Sequence, residues 1–534
     1  MSLVQADTLA SIPQLLANRA STLGRKPFII DGPVSLSYES TLQQARALGA
    51  WLLSRGCQPG DRIGIWAPNC VQWIVAALGS QLIGGTLVTL NTRYKSAEAA
   101  QILNQSGCRW LFCIDNFLGV DYPAQLQSQS VPSLEDVVTI TLQRQDDHFS
   151  QCLAQGEELL RSDQCRDRLD AAAALVAGDT PSDILFTSGT TGQPKGVVTA
   201  HQQNLQAFSQ FANILGLHSE DRYLIINPFF HSFGYKAGWL ATLIAGATAY
   251  PLAVFDVPEV MTQVEQHAIN VMPGPPTLFR SIIDHPDFDA KRLASLQKAT
   301  TGAAVIPTQL IEDMWQVLGL ETVITAYGLS ETCGLVTMCR QGDSANTIAT
   351  TSGRAIPDIE VAIFDTQNRP LPAGETGEIV VRGYNVMQGY FNNSEATGET
   401  IDKEGWLHTG DIGHLDENGN LSITDRLKDM YISGGFNCYP AEIEQQLVQH
   451  PSIAQAAVIG IADPRLGEVG AAFLIAAANA DDLASQADDE LMAWCKSTMA
   501  NYKVPRKFIW VKSLPLNATG KVMKQELRKQ LAQQ

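Results

Sequence analysis

The sequence predicts an α/β protein. We expect a large N-terminal domain of layered α/β sheets that includes a β subdomain, followed by a small α+β C-terminal domain. The chain has 534 residues, too many for a single hydrophobic core. From about residue 27 to 290, short β-branched runs alternate with helical patterns, which is typical of layered α/β sheets. Because the pattern changes near residue 350 and again after 426, we expect domains at 1–426, with the β subdomain at about 350–425, and at 427–534.

The N-terminal elements follow from these runs. Residues 1–20 lack the basic start of a signal peptide and predict an amphipathic helix. Strands are expected at 62–66, 86–90, 183–187 and 223–226. The apolar stretch 73–90 is interrupted by Ser80, Gln81 and the pair Gly84-Gly85, so it predicts a buried helix, a turn and a strand, with no transmembrane segment. Residues 117–180 are the least patterned and predict a surface connection with one or two helices.

The C-terminal half has shorter, more evenly spaced strands. Runs at 360–364, 378–382, 413–415 and 421–424, the last two around Asn418-Gly419, predict the β subdomain. After residue 426, Pro440 begins a predicted helix that ends near residue 450. Strands at 457–461 and 471–476, a helix from about 488 and a strand at 508–511 complete an α+β domain.

Composition and charge exclude several classes of protein. With 45% apolar and 17% charged residues the chain cannot be disordered, and a net charge of −18 argues against nucleic-acid partners. Residues 501–534 are the exception, with eight basic residues against one acidic residue, so this segment is either a local anion site or a solvated tail. The ten cysteines form no C-x-x-C pair and predict free thiols in a reducing cytoplasm, without a transition-metal site. The oligomeric state does not follow from the sequence.

The most informative segment is a ten-residue loop after the strand at 184–186. It reads Thr187-Ser188-Gly189-Thr190-Thr191-Gly192-Gln193-Pro194-Lys195-Gly196. Its glycines permit backbone conformations in which N–H groups converge, its hydroxyls add donors, and Lys195 supplies positive charge, a combination suited to a polyphosphate. It is not a Walker loop, because Gly196 stands where that motif has Ser or Thr. The alternative is a solvated surface turn.

Together with six further segments, this loop resembles the adenylate-forming, AMP-binding superfamily. The superfamily includes acyl-CoA synthetases, aryl-CoA ligases, peptide-synthetase adenylation domains and firefly-type luciferases. The further segments follow in the family's order at 301–304, 327–332, 405–411, 425–429, 434–437 with 440–444, and 517–521. The resemblance implies an ATP- and Mg²⁺-dependent acyl-CoA synthetase that joins a carboxylic acid to CoA through an acyl-adenylate, releasing AMP and pyrophosphate.

The resemblance also implies which residues bind the nucleotide. Asp411 would accept hydrogen bonds from the ribose with help from Arg426, and Tyr327 would stack on adenine above Gly302 and Ala303. A turn-capping carboxylate and a packed aromatic ring are the alternatives for Asp411 and Tyr327. The full implied ATP/AMP set is Thr187, Ser188, Gly189, Thr190, Thr191, Gly192, Lys195, Gly302, Ala303, Ala304, Tyr327, Gly328, Ser330, Glu331, Asp411, Arg426 and Lys521.

Other positions are implied to hold the metal and perform the chemistry. Thr187 and Glu331 would be the Mg²⁺ ligands, although Glu331 could instead be a helix-start carboxylate. Lys521 would stabilise charge at the α-phosphate during carboxylate attack. A mobile C-terminal domain would turn about Lys428 and then present Gly434 and Gly435, which would leave a channel for CoA unless they form a β-bulge. The implied catalytic set is Lys521, Thr187, Glu331 and His231.

The implied acyl pocket contains Phe230, His231, Tyr235, Gly302 and Ala303, with His231 as a gate at the carboxylate. Packing is the alternative for His231. Because 233–236 contains no acidic residue, an amino-acid substrate is disfavoured. The run 428–437 is similar to ligases of fatty acids and of the indanone propionate left by steroid-ring degradation, and we favour the latter. Two alternatives stay open. The acid could be aromatic, as for an aryl-CoA ligase, or the acyl group could pass to a carrier protein instead of free CoA, as for an acyl-AMP ligase.

Overall fold

A computed structural model describes residues 11–142, 147–187, 194–302, 306–426, 429–433, 436–477, 487–499, 501–516 and 522–532. The chain divides into two compact units. The first unit contains Met1–Val361 with Val381–Leu407, and the second contains Ala362–Val380 with His408–Gln534. Both mix helices and strands, so the predicted α/β class, with a large N-terminal part and a smaller C-terminal part, is confirmed. The domain boundary at residue 426 stays a prediction.

The N-terminal elements alternate as the sequence predicts. They are, in chain order, α1 (Ile12–Leu23), β1 (Pro27–Asp31), β2 (Val34–Ser37), α2 (Tyr38–Ser54), β3 (Arg62–Trp66), α3 (Val71–Leu82), β4 (Thr86–Thr89), α4 (Ser96–Ser106), β5 (Trp110–Ile114), β6 (Asn116–Phe117), β7 (Val120–Asp121), α5 (Tyr122–Gln127), β8 (Asp136–Ile140), α6 (His148–Leu159), α7 (Asp163–Ala174), β9 (Pro181–Thr187), β10 (Lys195–Ala200), α8 (His201–Leu215) and β11 (Arg222–Ile225).

The remaining elements are shorter on average. They are α9 (Ser232–Gly234), a π-helical turn (Tyr235–Leu240), α10 (Ala241–Ala245), β12 (Thr248–Pro251), α11 (Val257–His267), α12 (Pro276–Ile283), a 3₁₀ turn (Ala290–Leu293), β13 (Lys298–Thr301), α13 (Thr308–Gln316), β14 (Thr322–Tyr327), a 3₁₀ turn (Ser330–Thr332), β15 (Thr337–Met338), α14 (Ala345–Thr350), β16 (Arg354–Ala355), β17 (Ile359–Phe364), β18 (Gly377–Gly383), β19 (Gly389–Tyr390), α15 (Ser394–Thr400), β20 (Leu407–Leu415), β21 (Leu421–Arg426), β22 (Tyr431–Ser433), β23 (Phe436–Cys438), α16 (Pro440–Leu447), β24 (Ile453–Asp463), β25 (Gly467–Ala476), α17 (Ala487–Thr498), β26 (Lys507–Trp510) and α18 (Lys524–Ala532).

The largest sheet of the first unit has, within the described ranges, seven strands in the order β19-β10-β9-β4-β3-β5-β8. Strands β9, β4, β3, β5 and β8 are parallel to their neighbours in this series, and β10 runs antiparallel to β9. Parallel strands are covered on both faces, so they appear in sequence as continuous apolar runs. This is why the predicted strand at 62–66 matches β3.

A second layer of the first unit contains the strand orders β11-β12-β1-β2 and β13-β14-β15-β16. Val271 forms isolated bridges to Tyr223 and Lys298 and thereby joins β11 to β13. Strands β13 and β14 are parallel, with Thr301 opposite Thr325. The residues that follow these two strands therefore meet at one edge of the sheet, where α/β proteins commonly bind ligands.

The prediction of a surface connection with one or two helices at 117–180 is wrong in part, because the described residues of that segment contain three helices and a strand of the large sheet. Strand β8 is an edge strand of the large sheet, paired with β5, and α6 packs closely on α2. A Cβ atom on Gly156 would lie 1.9 Å from the carbonyl oxygen of Ala47, so only glycine permits this approach. Gln155 also accepts a hydrogen bond from the Trp51 indole at 3.2 Å. Most other described residues of the segment 117–180 are exposed or half-buried, as expected for a surface connection.

The second unit contains most of a four-stranded sheet in the order β17-β18-β20-β21, in which β20 and β21 are antiparallel. Its C-terminal part is built on the long antiparallel pair β24–β25. Successive residues of these strands face opposite sides: Val458 and Leu474 belong to one buried cluster, while Ile459 and Phe473 belong to another. Among the described residues of both units, no helix is long and apolar enough to span a membrane.

Candidate active site

The predicted phosphate-binding loop connects two antiparallel strands. Thr187 is the last residue of β9 and lies opposite Lys195, the first residue of β10. The Thr187 hydroxyl donates to the Lys195 carbonyl at 3.4 Å. Because β9 is parallel to β4, both residues lie at the carboxyl edge of the parallel strands. Residues Ser188, Gly189, Thr190, Thr191 and Gly192 lie outside the described residues, so their phosphate contacts stay a prediction.

A buried polar network connects the two strands that hold this loop to neighbouring helical residues. Lys236 Nζ lies 3.0 Å from Asp183 Oδ1, and both side chains are fully buried. Lys236 also donates to Thr199 at 2.9 Å. The second carboxylate oxygen of Asp183 accepts from Ser182 and Asn204 at 2.6 and 2.8 Å. We call these five residues the core network. Its satisfied ion pair ties β9, β10, α8 and the π-helical turn together.

His201 begins α8 beside this network and is fully buried. Neither of its ring nitrogens has a hydrogen-bond partner among the described residues. Burial lowers the pKa of His201 to about 4, and the nearby charge of Asp183 offsets only part of this effect. The imidazole is therefore neutral at physiological pH.

The segment 228–235, predicted to line the acyl pocket, follows β11 and is held at the same edge of the large sheet. Thr89, the last residue of β4, donates its hydroxyl to the Phe230 carbonyl at 2.8 Å. His231 is exposed, and its Nδ1 accepts from the Phe233 amide at 3.3 Å, which caps a short helix. Its role as a gate stays a prediction.

Tyr235 lies in the interior of the first unit. Its side chain is fully buried, its hydroxyl accepts from Gln81 at 2.9 Å, and its ring stacks on Trp239 with centroids 4.8 Å apart. These contacts account for Tyr235 without a substrate, and its assignment to the acyl pocket stays a prediction.

The predicted adenine-binding residues lie at the ends of two neighbouring parallel strands. Gly302 follows β13, and Tyr327 is the last residue of β14. A Cβ atom on Gly302 would lie 3.2 Å from the Ala326 carbonyl oxygen, so glycine leaves the backbone open there. The structure thus brings together the two residues predicted to enclose a planar base. Ala303 and Ala304 lie outside the described residues.

Glu331 lies on the 3₁₀ turn Ser330–Thr332 that follows Tyr327 and Gly328. A Cβ atom on Gly334, two residues after this turn, would lie 2.8 Å from the Ser232 Cβ, so the chain just after the turn packs against the acyl segment. The Glu331 carboxylate is partly exposed and accepts from the Tyr390 hydroxyl at 3.0 Å. One carboxylate oxygen is therefore already oriented by the protein.

Thr187 and Glu331 offer the hard oxygen ligands that Mg²⁺ prefers. Over the described residues, no three His, Cys, Asp or Glu side chains form a metal-binding group. An ion held by these two residues would need phosphate oxygens and water to complete its shell, which is the usual arrangement in enzymes that bind nucleoside triphosphates. The residue types at these positions fit that ion.

In the second unit, Asp411 lies in strand β20, and a hydrogen-bonded histidine–carboxylate pair holds the residues that precede it. His408 Nδ1 lies 2.8 Å from Glu378 Oε2, and Glu378 Oε1 accepts from the Gly410 amide at 3.1 Å. The Asp411 amide donates to the Thr409 hydroxyl at 3.0 Å, and the Asp411 side chain is buried. Across the β20–β21 pair the backbone of Arg426 lies opposite Asp411, as the predicted ribose-binding pair requires.

Four further predicted positions lie outside the described residues: Lys428, Gly434, Gly435 and Lys521. Their roles as hinge, CoA channel and catalytic lysine stay predictions. Sequence reasoning also overlooked two supporting residues. Tyr390 hydrogen-bonds Glu331, and Glu378 holds the residues just before Asp411. Glu378 belonged to a predicted strand and followed a glycine in a short β-rich run, but nothing local indicated its partner.

A Gly-, Ser- and Thr-rich loop at the carboxyl edge of a parallel sheet, with Gly302 and Tyr327 at the ends of two further parallel strands, is typical of α/β enzymes that bind a nucleotide. The family described as "AMP-binding enzyme" matches residues 16–391, and the "AMP-binding enzyme C-terminal domain" matches residues 442–521. The chain therefore belongs to the AMP-binding enzyme family.

Two curated relatives carry the same name, 3-[(3aS,4S,7aS)-7a-methyl-1,5-dioxo-octahydro-1H-inden-4-yl]propanoyl:CoA ligase. The Rhodococcus jostii protein is 46% identical over 97% of this chain and 98% of its own length. The Mycobacterium tuberculosis protein is 48% identical over 90% of each. Among solved structures, the o-succinylbenzoate CoA synthetase of Bacillus subtilis in complex with its acyl-adenylate intermediate is 27% identical, with a TM-score of 0.78 over 96% of this chain and 97% of that chain.

The family and these relatives define the reaction. The chain is an acid–thiol ligase of the AMP-forming acyl-CoA synthetase class, with ATP and CoA as substrates. It joins a carboxylic acid to CoA through an acyl-adenylate. The predicted family and reaction are thus confirmed.

Proposed function

We propose that the acid is a propionate attached to a fused, steroid-derived ring system, and that the reaction depends on Mg²⁺. The observation that carries this proposal is the 46 and 48% identity to two ligases named for an indanone-type propanoate. The absence of an acidic residue at 233–236 supports an acid without an amine. A fatty acid or an aryl acid as substrate, and a carrier protein as acceptor, are the alternatives.

In the first half-reaction, a carboxylate oxygen attacks the α-phosphorus of ATP. An O–P bond forms while the bond to the pyrophosphate oxygen breaks. Lys195 and Thr187 would hold the phosphates, Gly302 and Tyr327 the adenine, and Asp411 the ribose. Lys521 would stabilise the charge that develops at the α-phosphate without any proton transfer.

Mg²⁺, when bound, neutralises phosphate charge. Glu331 and Thr187 would hold it, with the Glu331 carboxylate oriented by its hydrogen bond from Tyr390. These residues would also fix the position of the phosphates relative to the acyl segment, because the chain just after the Glu331 turn packs on Ser232. The binding energy would thereby be used to align the reacting atoms.

In the second half-reaction, the CoA thiol attacks the acyl carbon and a C–S bond forms. The bond between the acyl carbon and the former carboxylate oxygen breaks, AMP leaves with that oxygen, and the thiol proton is released to solvent. Residues 427–534 would turn about Lys428 to present Gly434 and Gly435, where absent side chains leave room for pantetheine. The basic residues of 501–534 would attract the CoA phosphates. We place the reaction in the cytoplasm, because all ten cysteines are free thiols and only Cys165 is not buried.

The test is a pyrophosphate-release assay with ATP and Mg²⁺ on a panel of acids, each with and without CoA. The panel contains short, medium and long fatty acids, benzoates and ring-bearing propionates. We expect the highest kcat/KM with a ring-bearing propionate, and sustained turnover only with CoA. A higher kcat/KM with a fatty acid or a benzoate would contradict the proposed substrate, and turnover independent of CoA would favour a carrier protein as acceptor.

A further inference from the structure

Tyr390 contacts two residues predicted to act on the nucleotide. Its hydroxyl donates to Glu331 Oε1 at 3.0 Å. Lys195 Nζ lies 4.9 Å from the centroid of its ring. The partly buried Tyr390 side chain thus joins the Glu331 turn (Ser330–Thr332) to the β9–β10 hairpin that holds the phosphate-binding loop.

The backbone fixes Tyr390 at this position. Strand β19 pairs with β10, with Tyr390 opposite Val197. The Tyr390 amide donates to the Thr397 hydroxyl at 2.9 Å, and the Met387 amide donates to the Glu331 carbonyl at 2.9 Å. The segment 387–390 is therefore hydrogen-bonded to β10 on one side and to the Glu331 turn on the other. A movement of β10 would disturb the Glu331 turn, and a movement of the turn would disturb β10.

We propose that Tyr390 is a positioning residue for the divalent cation and the phosphates, an inference that rests on the proposed Mg²⁺ role of Glu331. Its hydroxyl occupies one oxygen of Glu331 and fixes the carboxylate plane, which leaves Oε2 for the ion. Its ring holds the Lys195 ammonium by a cation–π contact. Partners of metal ligands act in this way, by orienting a ligand that would otherwise rotate.

A purely structural role for Tyr390 makes a different prediction. The Tyr390 ring also packs on the apolar cluster of Val197, Met387 and Leu407. If packing were its only role, Tyr390→Phe would keep the ring and change nothing. The hydroxyl and the ring can therefore be tested separately.

The first experiment measures divalent-ion binding directly. Mn²⁺ is titrated into the full-length protein with α,β-methylene-ATP, and free Mn²⁺ is quantified by electron paramagnetic resonance. For Tyr390→Phe we expect the Kd for Mn²⁺ to rise about tenfold, with an unchanged Tm. The matched control is Tyr384→Phe, since the buried Tyr384 hydroxyl has no hydrogen-bond partner among the described residues. This control should bind Mn²⁺ like the wild type.

Equal Mn²⁺ affinity of wild type and Tyr390→Phe would overturn the role of the hydroxyl while leaving the proposed function intact. A wild-type protein that binds no Mn²⁺ in the presence of the analogue would instead overturn the proposed metal role together with this inference.

The second experiment tests the ring. Without divalent ions, Tyr390→Leu should bind the ATP analogue about two- to fivefold more weakly than Tyr390→Phe, because only the leucine variant loses the cation–π contact with Lys195. Equal affinities of the two variants would show that the ring does not position Lys195.

Discussion

Two hydrogen-bonded side-chain pairs support predicted nucleotide-binding residues, and they differ in burial. The ion pair of Asp183, on β9, and Lys236, in the π-helical turn, is fully buried. The pair of Glu378 and His408 holds the residues just before Asp411, with side chains 19 and 17% exposed. An unpaired charge is far more costly in the interior than near water. The first pair therefore supports the fold, and the second supports the local geometry of the segment 408–411.

The largest effect is expected from a residue that belongs to neither pair. Lys521→Ala should lower the rate of adenylation by about 10²- to 10³-fold, because the charge that develops at the α-phosphate loses its cation. Thioester formation from supplied acyl-AMP should persist, as measured by acyl-CoA production. Gly435→Leu should do the reverse. Equal loss of both half-reactions in Lys521→Ala would refute the assigned role.

The buried pair should control stability. Lys236→Met leaves the Asp183 carboxylate in the interior without its cation, and we expect a loss of about 3–5 kcal/mol in the free energy of unfolding. Urea denaturation followed by fluorescence measures this loss. The double variant Lys236→Met/Asp183→Asn should recover a large part of it, because no unpaired charge remains. A single variant as stable as the wild type would remove the distinction between the two pairs.

The buried region should also respond to acid. The pKa of His201 is about 4 in the folded protein and about 6.5 when unfolded, so the unfolded chain binds more protons between these values. The contribution of neutral His201 to stability is complete above pH 6.5 and is lost as the pH falls towards 4, with about 2 kcal/mol lost by pH 5. His201→Leu should flatten the measured profile of unfolding free energy between pH 7 and 5. An unchanged slope would contradict this.

The Glu378–His408 pair, whose side chains keep some contact with solvent, should affect binding and leave the fold intact. Glu378→Gln weakens the contacts to His408 and to the Gly410 amide, so we expect the KM for ATP to rise about tenfold. The control is Glu360→Gln, which removes the carboxylate of a more exposed pair with Arg382 and should leave this KM unchanged. If Glu378→Gln and Glu360→Gln changed the KM for ATP equally, the Glu378–His408 pair would have no specific link to the segment 408–411.

The smallest effect is expected at the edge of the large sheet. Thr89→Val removes the 2.8 Å hydrogen bond to the Phe230 carbonyl, and the KM for the acid should rise about fivefold. Thr86→Val is the matched control, since Thr86 starts the same strand and makes only a 3.4 Å contact with Pro181. Steady-state kinetics with varied acid compares the two variants. An equal rise in both would argue against a role of Thr89 at the acyl segment.

The core strands were predictable from the sequence because they have a local signal, and the predicted site loop rests on a local signal as well. Strand β3 is buried on both faces and appears as an uninterrupted apolar run. The loop 187–196 carries its Gly, Ser and Thr residues in one continuous stretch. The segment with β8 and α6 was missed, because its packing depends on the approach of Gly156 to Ala47, and these two residues are distant in sequence.

The supporting contacts could not be predicted for the same reason. Tyr390 and Glu331 are 59 positions apart, and His408 and Glu378 are 30 apart. No spacing rule for a helix or strand connects such residues. Their pairing follows only from the sheet order, which places β19 beside β10 and β18 beside β20.

The most direct test of the account follows the oxygen atoms of the acid. A ring-bearing propionate labelled with ¹⁸O in its carboxylate is incubated with the protein, ATP, Mg²⁺ and CoA, and the products are examined by mass spectrometry. Attack on the α-phosphorus predicts one labelled oxygen in AMP for each acyl-CoA formed. Unlabelled AMP, or label in inorganic phosphate alongside ADP, would contradict the acyl-adenylate route.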